Sequence, residues 1–575
     1  MSLWIRRATE VLKSAKIATG VRTKIVPKNA GKIDYRRVGF FFAGTSIATT
    51  YGVLVLYAES IEDKPKKKLV ILGSGWGAVS LIKSLKPGEF DVSVVSPENY
   101  FLFTPLLPSV TVGTVEGRSI TEPIRKILAK RHKHGAKFYE GQCTEIDIEG
   151  NTVKCKDLSE ITGHREEFSL NYDYLVLAIG AQTATYNIKG IEEHTHYLKN
   201  MKQAQEIRKH VIDSFETAAI PGQPDHEVRR LLNFVVVGGG PTGVEFAAEL
   251  RDFVKEDLRK IFPDEMIDKS TITLIDGLNK ILNSYSDEIS RYTENKFQSE
   301  GINVVTNTFV AGVEDKIIHL KDAKTRDVRS MDYGMCVWAA GIAPRDLTKQ
   351  LMQQIPGQTN RMALITDPFM KVKNTENIFA VGDCCTVQNE KLMDFLNGLL
   401  AENGVADNGN LNQKQFTDVL NVAKKRYPHL CSHFNKMEKL LLGVQADSEN
   451  VVISHEDFTF LAQKADEKQT FLPPTAQVAA QEGKYLGKLL SKVELSTADM
   501  KNVDPFQYNH LGSFAYVGDN RAVLELPILG SFKGWSAMWL WRGAYASECV
   551  SLRMRTLVLF DWIKSFLFGR DTSRI

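Results

Sequence analysis

Seven cysteines are spread through 575 residues, and no two of them form a CxxC pair. That absence excludes a disulfide framework, a zinc site and a redox-active dithiol. Cys384 and Cys385 are adjacent, a spacing that suits neither metal ligation nor an easy disulfide. All seven read as packed thiols. Charge of one sign is also scarce. A net charge of +3, with no stripe of interleaved aromatic and basic residues, leaves no footprint for nucleic acid. One uncharged run of spanning length is too little for a multi-span bundle, which excludes a proton-pumping membrane domain.

What the chain does have begins at its N-terminus. Residues 1–37 carry ten Lys or Arg and only Glu10 and Asp34 as acids. A basic, acid-poor, amphipathic start reads as a mitochondrial targeting segment, and a basic tail is the alternative. Residues 38–58, VGFFFAGTSIATTYGVLVLYA, are 21 residues without a charge. They are long enough to span a bilayer but diluted by Gly, Ser and Thr. A targeting segment followed by such a run suggests sorting to the inner membrane, with a membrane-associating anchor as the milder reading. A charged linker, ESIEDKPKKK, follows.

The body is organised around FVVVGGGPTGVEFAAEL, residues 234–250. Four apolar residues read as a buried parallel strand, the glycines as a tight turn, and the Ala-rich run as a helix. This is the context a dinucleotide-binding fingerprint requires, with phosphates at the helix N-terminus. Residues 69–81, LVILGSGWGAVSL, repeat it with Gly73, Gly75, Gly77 and Ala78. Two such units point to two bound dinucleotides with electron transfer between them. The fold class expected is α/β, with two Rossmann-like domains and a membrane-associating helical segment at the C-terminus.

The acid at the end of each unit's second strand carries specificity. In the second unit it is Asp276, 38 residues after Gly238, because the helix is expected to extend through Lys260. An acid there accepts both ribose hydroxyls of NADH and repels the 2′-phosphate of NADPH. In the first unit the position is Ser96, which can still hydrogen-bond a ribose. NYFLFTPLLPSV, 99–110, suits neither a regular helix nor a central strand. It reads as a loop, either against a ring system or in the core. Asp383, after a strand and Gly382, is either a ribityl ligand or a turn residue.

Residues 387–470 form a polar, helix-like insertion resembling two EF-hand units. Leu411 and Ile453 hold the apolar loop positions, but Gly404, Ala406 and Gln415 stand where calcium ligands belong, and Val451 where glycine belongs. A calcium site needs several carboxylates, so the module reads as calcium-silent and no metal ligands are assigned. Residues 505–526 read as a short hairpin. Trp535–Phe568 is apolar but interrupted by charges, so it cannot span. It fits a helix lying in a membrane interface, or a docking or dimer helix.

The strings VILGSGWG, VVSPENYFLFTPLLPSVTVGTVEGRSI, VVVGGGPTGVEFAAEL, VWAAGI, AVGDC, PPTAQVAAQEG and FGRDTSRI together resemble the type II (alternative, rotenone-insensitive) NADH dehydrogenases, above all the external mitochondrial enzymes of plants and fungi. The resemblance implies hydride transfer from NADH to FAD and two-electron reduction of ubiquinone, without proton pumping. It implies FAD at Gly73, Ser74, Gly75, Trp76, Gly77, Ser96, Thr104, Pro105, Gly180, Gly382, Asp383 and Ala476. NADH is implied at Gly239, Gly240, Pro241, Thr242, Gly243, Glu245, Asp276 and Gly341, with Glu245 beside the nicotinamide. Gln477 and Gln481 are implied at the quinone site, where amides bond quinone oxygens without adding charge. No residue is assigned as proton donor.

The domains expected are 66–185 (FAD, first part), 186–344 (NADH), 345–386 (FAD, second part), 387–470 (insertion), 471–500 (FAD and quinone) and 501–575 (membrane attachment and dimerisation). The partners implied are the quinone pool, the mitochondrial inner membrane facing the intermembrane space, and a second copy of the chain. Three other readings compete. A disulfide reductase or sulfide:quinone oxidoreductase needs a cysteine pair that is missing. An NADPH-preferring enzyme conflicts with Asp276. A non-catalytic NADH or calcium sensor conflicts with the poor loops.

Overall fold

The computed structural model describes residues 66–573, apart from 133–134, 160, 162, 389–391, 403, 406–408, 427–433, 435–436, 439–451, 467–471, 493–502 and 528. The targeting and anchor segments expected at 1–37 and 38–58 lie outside the described residues, as do the first half of the second EF-hand-like loop, 446–451, and residues 406–408 of the first.

Two parallel five-stranded sheets carry the body. The first runs Ile378–Ala380, Tyr174–Leu177, Lys67–Leu72, Phe90–Ser96, Ala136–Glu140. The second runs His196–Tyr197, Met335–Trp338, Asn233–Val237, Thr271–Ile275, Ile302–Val305. In each, the glycine-turn strand sits at the centre, where both faces are covered. Leu69, Ile71, Val235 and Val236 are accordingly almost fully buried. The units repeat further: each inserts a three-stranded antiparallel sheet (142–171 and 308–332) before the later strand that pairs with its glycine-turn strand. A two-stranded ribbon, Ala181–Thr183 against Ile342–Pro344, joins the halves where the chain crosses between them.

Several elements differ from expectation. The helix after the central turn ends at Glu256, and a 3₁₀ turn, Leu258–Lys260, carries the chain on. Pro263 follows shortly, and proline cannot continue a helix. Residues 99–110 are not a plain loop. They form a short strand, Tyr100–Leu102, a 3₁₀ turn, Thr104–Leu106, and a helical turn, Leu107–Val110. Both prolines sit in the first turn of their elements, where a missing N–H costs nothing. The hairpin gains a third strand. Ser513–Tyr516, Ala522–Leu526 and Gly530–Gly534 form an antiparallel sheet. The apolar C-terminal stretch is two helices, Trp535–Glu548 and Leu552–Phe568, with Ser551 capping the second through Met554 N–H.

The insertion has its own core. Leu396, Phe416, Leu420, Phe458 and Ala462 are buried together. Leu411 pairs with Ile453 across a two-stranded ribbon between the helices Gln413–Arg426 and His455–Asp466.

Candidate active site

Each glycine turn solves a different local problem. Gly73 and Gly238 have φ of +112° and +115°, which other residues rarely adopt. A Cβ on Gly243 would lie 2.0 Å from the Gly238 carbonyl, so this glycine is there for close packing of helix on strand. A Cβ on Gly75 or Gly240 would meet nothing within 4 Å. These two positions are open, and a ligand backbone can approach them. In the first unit Ala78 stands in the packing position. The close approach is made instead by the helix Ala476–Leu490, where a Cβ on Gly483 would lie 2.1 Å from the Gly77 carbonyl.

One cavity of about 1300 Å³ runs between the two units. Gly73, Ser74, Gly75, Trp76 and Gly77 form one end of its wall, with Ser96, Thr104 and Pro105 beside them. Gly180, Gly382, Asp383 and Ala476 continue it, and Pro241, Thr242, Glu245, Gly341 and Gln477 close the other side. Gly239, Gly240, Gly243, Asp276 and Gln481 do not line it. The helices starting at Trp76, Pro241 and Ala476 all begin at this wall, and none has an acid in its first turn. Their N-terminal N–H groups and dipoles favour phosphate and developing negative charge. Open space at Gly75 and Gly180, an elongated cavity and these helix ends fit a flavin dinucleotide.

Individual side chains are held firmly. Trp76 donates from Nε1 to Thr104 Oγ1 at 3.1 Å and packs edge-on against Phe101. Ser96 Oγ donates to Ser74 Oγ at 2.9 Å, so the missing acid is replaced by a hydroxyl pair. Glu98 also lines the cavity two residues on. Asp276 is engaged within its own turn: Oδ2 accepts from Gly239 N–H at 2.5 Å and Oδ1 from Leu278 N–H at 2.7 Å. Asp383 is half-buried, and burial raises its carboxyl while Lys199 opposes.

Glu245 is 6% exposed and accepts from Tyr516 N–H at 3.2 Å. Burial pushes its carboxyl up to about 8, Glu249 adds to this, and the Tyr516 N–H bond and the nearby Trp541 and Tyr545 side chains oppose it. It is therefore mostly protonated at neutral pH. Gln477 and Gln481 are clamps on the segment before the C-terminal sheet. Gln477 Nε2 donates to Gly512 O at 2.8 Å, and Gln481 exchanges two hydrogen bonds with the Asn509 backbone at 2.8 and 2.9 Å.

Four groups were invisible to sequence reasoning. Glu482, buried, accepts from Gly382 N–H at 2.6 Å, and burial lifts it to about 8. Arg570 Nη1 bonds Glu256 and Asp257, each at 2.8 Å. Tyr508 and His510 line the cavity near Gln477. Only the glycine turn beside Glu482 carried a local signal.

Two glycine turns and their helices facing one cavity define a two-dinucleotide-binding oxidoreductase. Residues 67–401 match the family of pyridine nucleotide-disulphide oxidoreductases, and residues 510–571 match the NDH2 C-terminal domain. The chain is 42% identical over 552 residues to the external alternative NAD(P)H-ubiquinone oxidoreductase B1, mitochondrial, of Solanum tuberosum, covering 91% of this chain and 95% of that one. It is 37% identical over 536 residues to the external alternative NADH-ubiquinone oxidoreductase, mitochondrial, of Yarrowia lipolytica, covering 89% and 81%. The solved structure of NDH2 from Plasmodium falciparum in complex with NADH matches with a TM-score of 0.76 at 30% identity, covering 88% of this chain and 100% of that one. The chain belongs to the type II, alternative NAD(P)H-ubiquinone oxidoreductase family. The six described cysteines are free and buried; Cys143 faces Cys155 across two antiparallel strands and Cys384 adjoins Cys385, and none of these four is bridged.

Proposed function

We propose that the protein oxidises NADH and reduces ubiquinone by two electrons, with FAD between them and without pumping protons. The carrying observation is the single cavity that reaches from the Gly73–Gly77 turn past Glu245 to Gln477. Bound FAD supplies the chemistry that accepts a hydride and returns two electrons. The protein's own contribution is positioning and electrostatics. Open backbone at Gly75 and Gly240 and the helix N-termini hold the two pyrophosphates. Glu245, protonated and buried, lends a hydrogen-bonding side chain beside the nicotinamide without adding charge. Apolar wall residues such as Trp76, held in place by Phe101 and Phe103 behind it, limit water at the reacting rings. Asp276 selects NADH by its position at the strand end, where a 2′-phosphate meets its carboxylate.

The quinone arrives from the lipid. Trp539, Phe560, Phe566 and Phe568 are all more than half exposed on the two C-terminal helices. No described helix is long and apolar enough to cross a membrane. We read the two helices as an in-plane attachment to the mitochondrial inner membrane, on its intermembrane-space side, in a homodimer. The paired Leu411 and Ile453 support an EF-hand-like module, and the residues at its ligand positions, Gly404 and Gln415 among them, are the reason to read it as silent to calcium. The test is direct. The purified protein is examined for a flavin spectrum and assayed with NADH or NADPH and a soluble quinone, with and without calcium. Bound flavin and NADH-driven, calcium-independent quinone reduction are expected. Absence of flavin or of quinone turnover overturns the reading.

A further inference from the structure

We propose that His510, paired with Tyr508, is the proton donor to the quinone at the Gln477 end of the cavity. The inference rests on the quinone reading above and names the residue that completes its chemistry. Oxidation of NADH by a quinone consumes one proton: NADH + H⁺ + quinone gives NAD⁺ + quinol. NADH gives up two electrons and one hydrogen as hydride. The second hydrogen of the quinol comes from water, and a side chain in the cavity wall can relay it to the quinone oxygen.

The clamps described above explain how the segment is held. Gln481 fixes Asn509, while Gln477 fixes Leu511 N–H at 3.3 Å and Gly512 O at 2.8 Å. Between these fixed points Tyr508 and His510 form part of the cavity wall. Tyr508 OH lies 3.0 Å from His510 Nδ1 and 3.5 Å from Gln477 Oε1. Among the described residues no other histidine lines the cavity. Histidine is the side chain suited to give and regain a proton near neutral pH. The groups that act on it are Tyr508 and, from the adjoining sheet, Glu525. Burial lowers its proton affinity, and Glu525 opposes that. A lowered affinity makes the protonated ring give up its proton more readily and reduces the share of rings that carry it at neutral pH, so the rate should follow the ring's titration.

In the step itself, a quinone oxygen gains its O–H bond as an imidazolium N–H bond breaks and leaves neutral imidazole, while the quinone takes two electrons that left NADH. The imidazole regains its proton from water at the cavity mouth. Gln477 and Gln481 thereby act as positioning residues for the donor. Glu548 is the rival, since it lines the same end.

The experiment uses the holoenzyme with two acceptors. A short-tailed ubiquinone takes electrons and protons; ferricyanide takes electrons alone. His510→Gln keeps size and hydrogen bonding but cannot shuttle a proton. It is expected to lower quinone turnover about 10- to 100-fold. Ferricyanide reduction and anaerobic bleaching of the flavin by NADH should stay unchanged. The wild-type quinone rate should fall as pH rises through the histidine's titration, and the variant should lose that limb. Tyr508→Phe should give a smaller, equally selective loss. Full quinone turnover by His510→Gln, an equal loss with both acceptors, or a selective loss in Glu548→Gln instead, overturns the proposal. A wild type that bleaches with NADH but never reduces quinone overturns the underlying reading, which is a distinguishable result.

Discussion

At the residue scale, buried carboxylates set how this protein responds to pH. Glu482 is raised to about 8, Glu245 to about 8 and Asp252 to about 7, in each case chiefly by burial. A carboxyl whose affinity is raised by folding contributes stability that is fully present below its ordinary titration. That contribution is lost as pH rises through the folded value. The window therefore runs from about 4.5 to about 8. The melting temperature should fall across it, and Glu482→Gln, which keeps an acceptor for Gly382 N–H, should flatten the fall when melting is followed from acid to alkaline buffer. An unchanged slope would remove Glu482 from this role. Asp276 makes a different kind of contribution. Asp276→Asn keeps an acceptor for Gly239 N–H and removes the charge. The ratio of kcat/KM for NADPH over NADH should rise several-fold. Equal use of the two cofactors by the wild type would refute the selective role of Asp276.

At the element scale, one helix pair positions the cavity floor. Ala476–Leu490 crosses Trp76–Ser84 on a seam of small residues, where a Cβ on Gly487 would lie 2.8 Å from Leu81 O and one on Gly483 closer still to Gly77 O. Gly483→Ala must push the helices apart, at a cost of about 1–3 kcal/mol typical of overpacking. The opening would reach Gly77 and, through Glu482, Gly382. The variant should bind less flavin per chain and unfold at lower denaturant. Normal flavin content would show that the seam is dispensable. The segment 99–110 also belongs here. Its residues alternate between two surroundings: Phe101 and Phe103 are buried in the core, while Tyr100, Leu102 and Thr104 line the cavity.

At the scale of the whole molecule, the C-terminal residues close the site and leave one face uncovered. Tyr516 and Tyr545 reach Glu245, and Arg570 binds Glu256 and Asp257 at the end of the helix Pro241–Glu256. Trp535 and Trp539 pack edge to face at the start of that region, and Phe566 and Phe568 are each 82% exposed near its end. Exposed aromatic groups on in-plane helices suit a lipid surface. Phe566→Asp combined with Trp539→Asp should abolish co-sedimentation with phospholipid vesicles and spare ferricyanide reduction by NADH. Undiminished sedimentation would assign the face to something other than lipid.

The sequence by itself determined the two glycine turns, their strands and helices, and the acid at the second strand's end. These are local: a positive φ, a missing Cβ and an apolar run act within a few residues of one another. Tertiary structure alone decided what surrounds them. Glu482 meets Gly382 across 100 positions and Tyr516 meets Glu245 across 271, and no periodicity reports such a meeting. Gln477 and Gln481 were expected to offer their amides to a quinone, and the fold gives both to the backbone of 509–512. Burial has the same character. Glu245 reads as one helix former among many in the sequence. Its raised proton affinity exists only because a sheet and a helix more than 250 residues later exclude water from it.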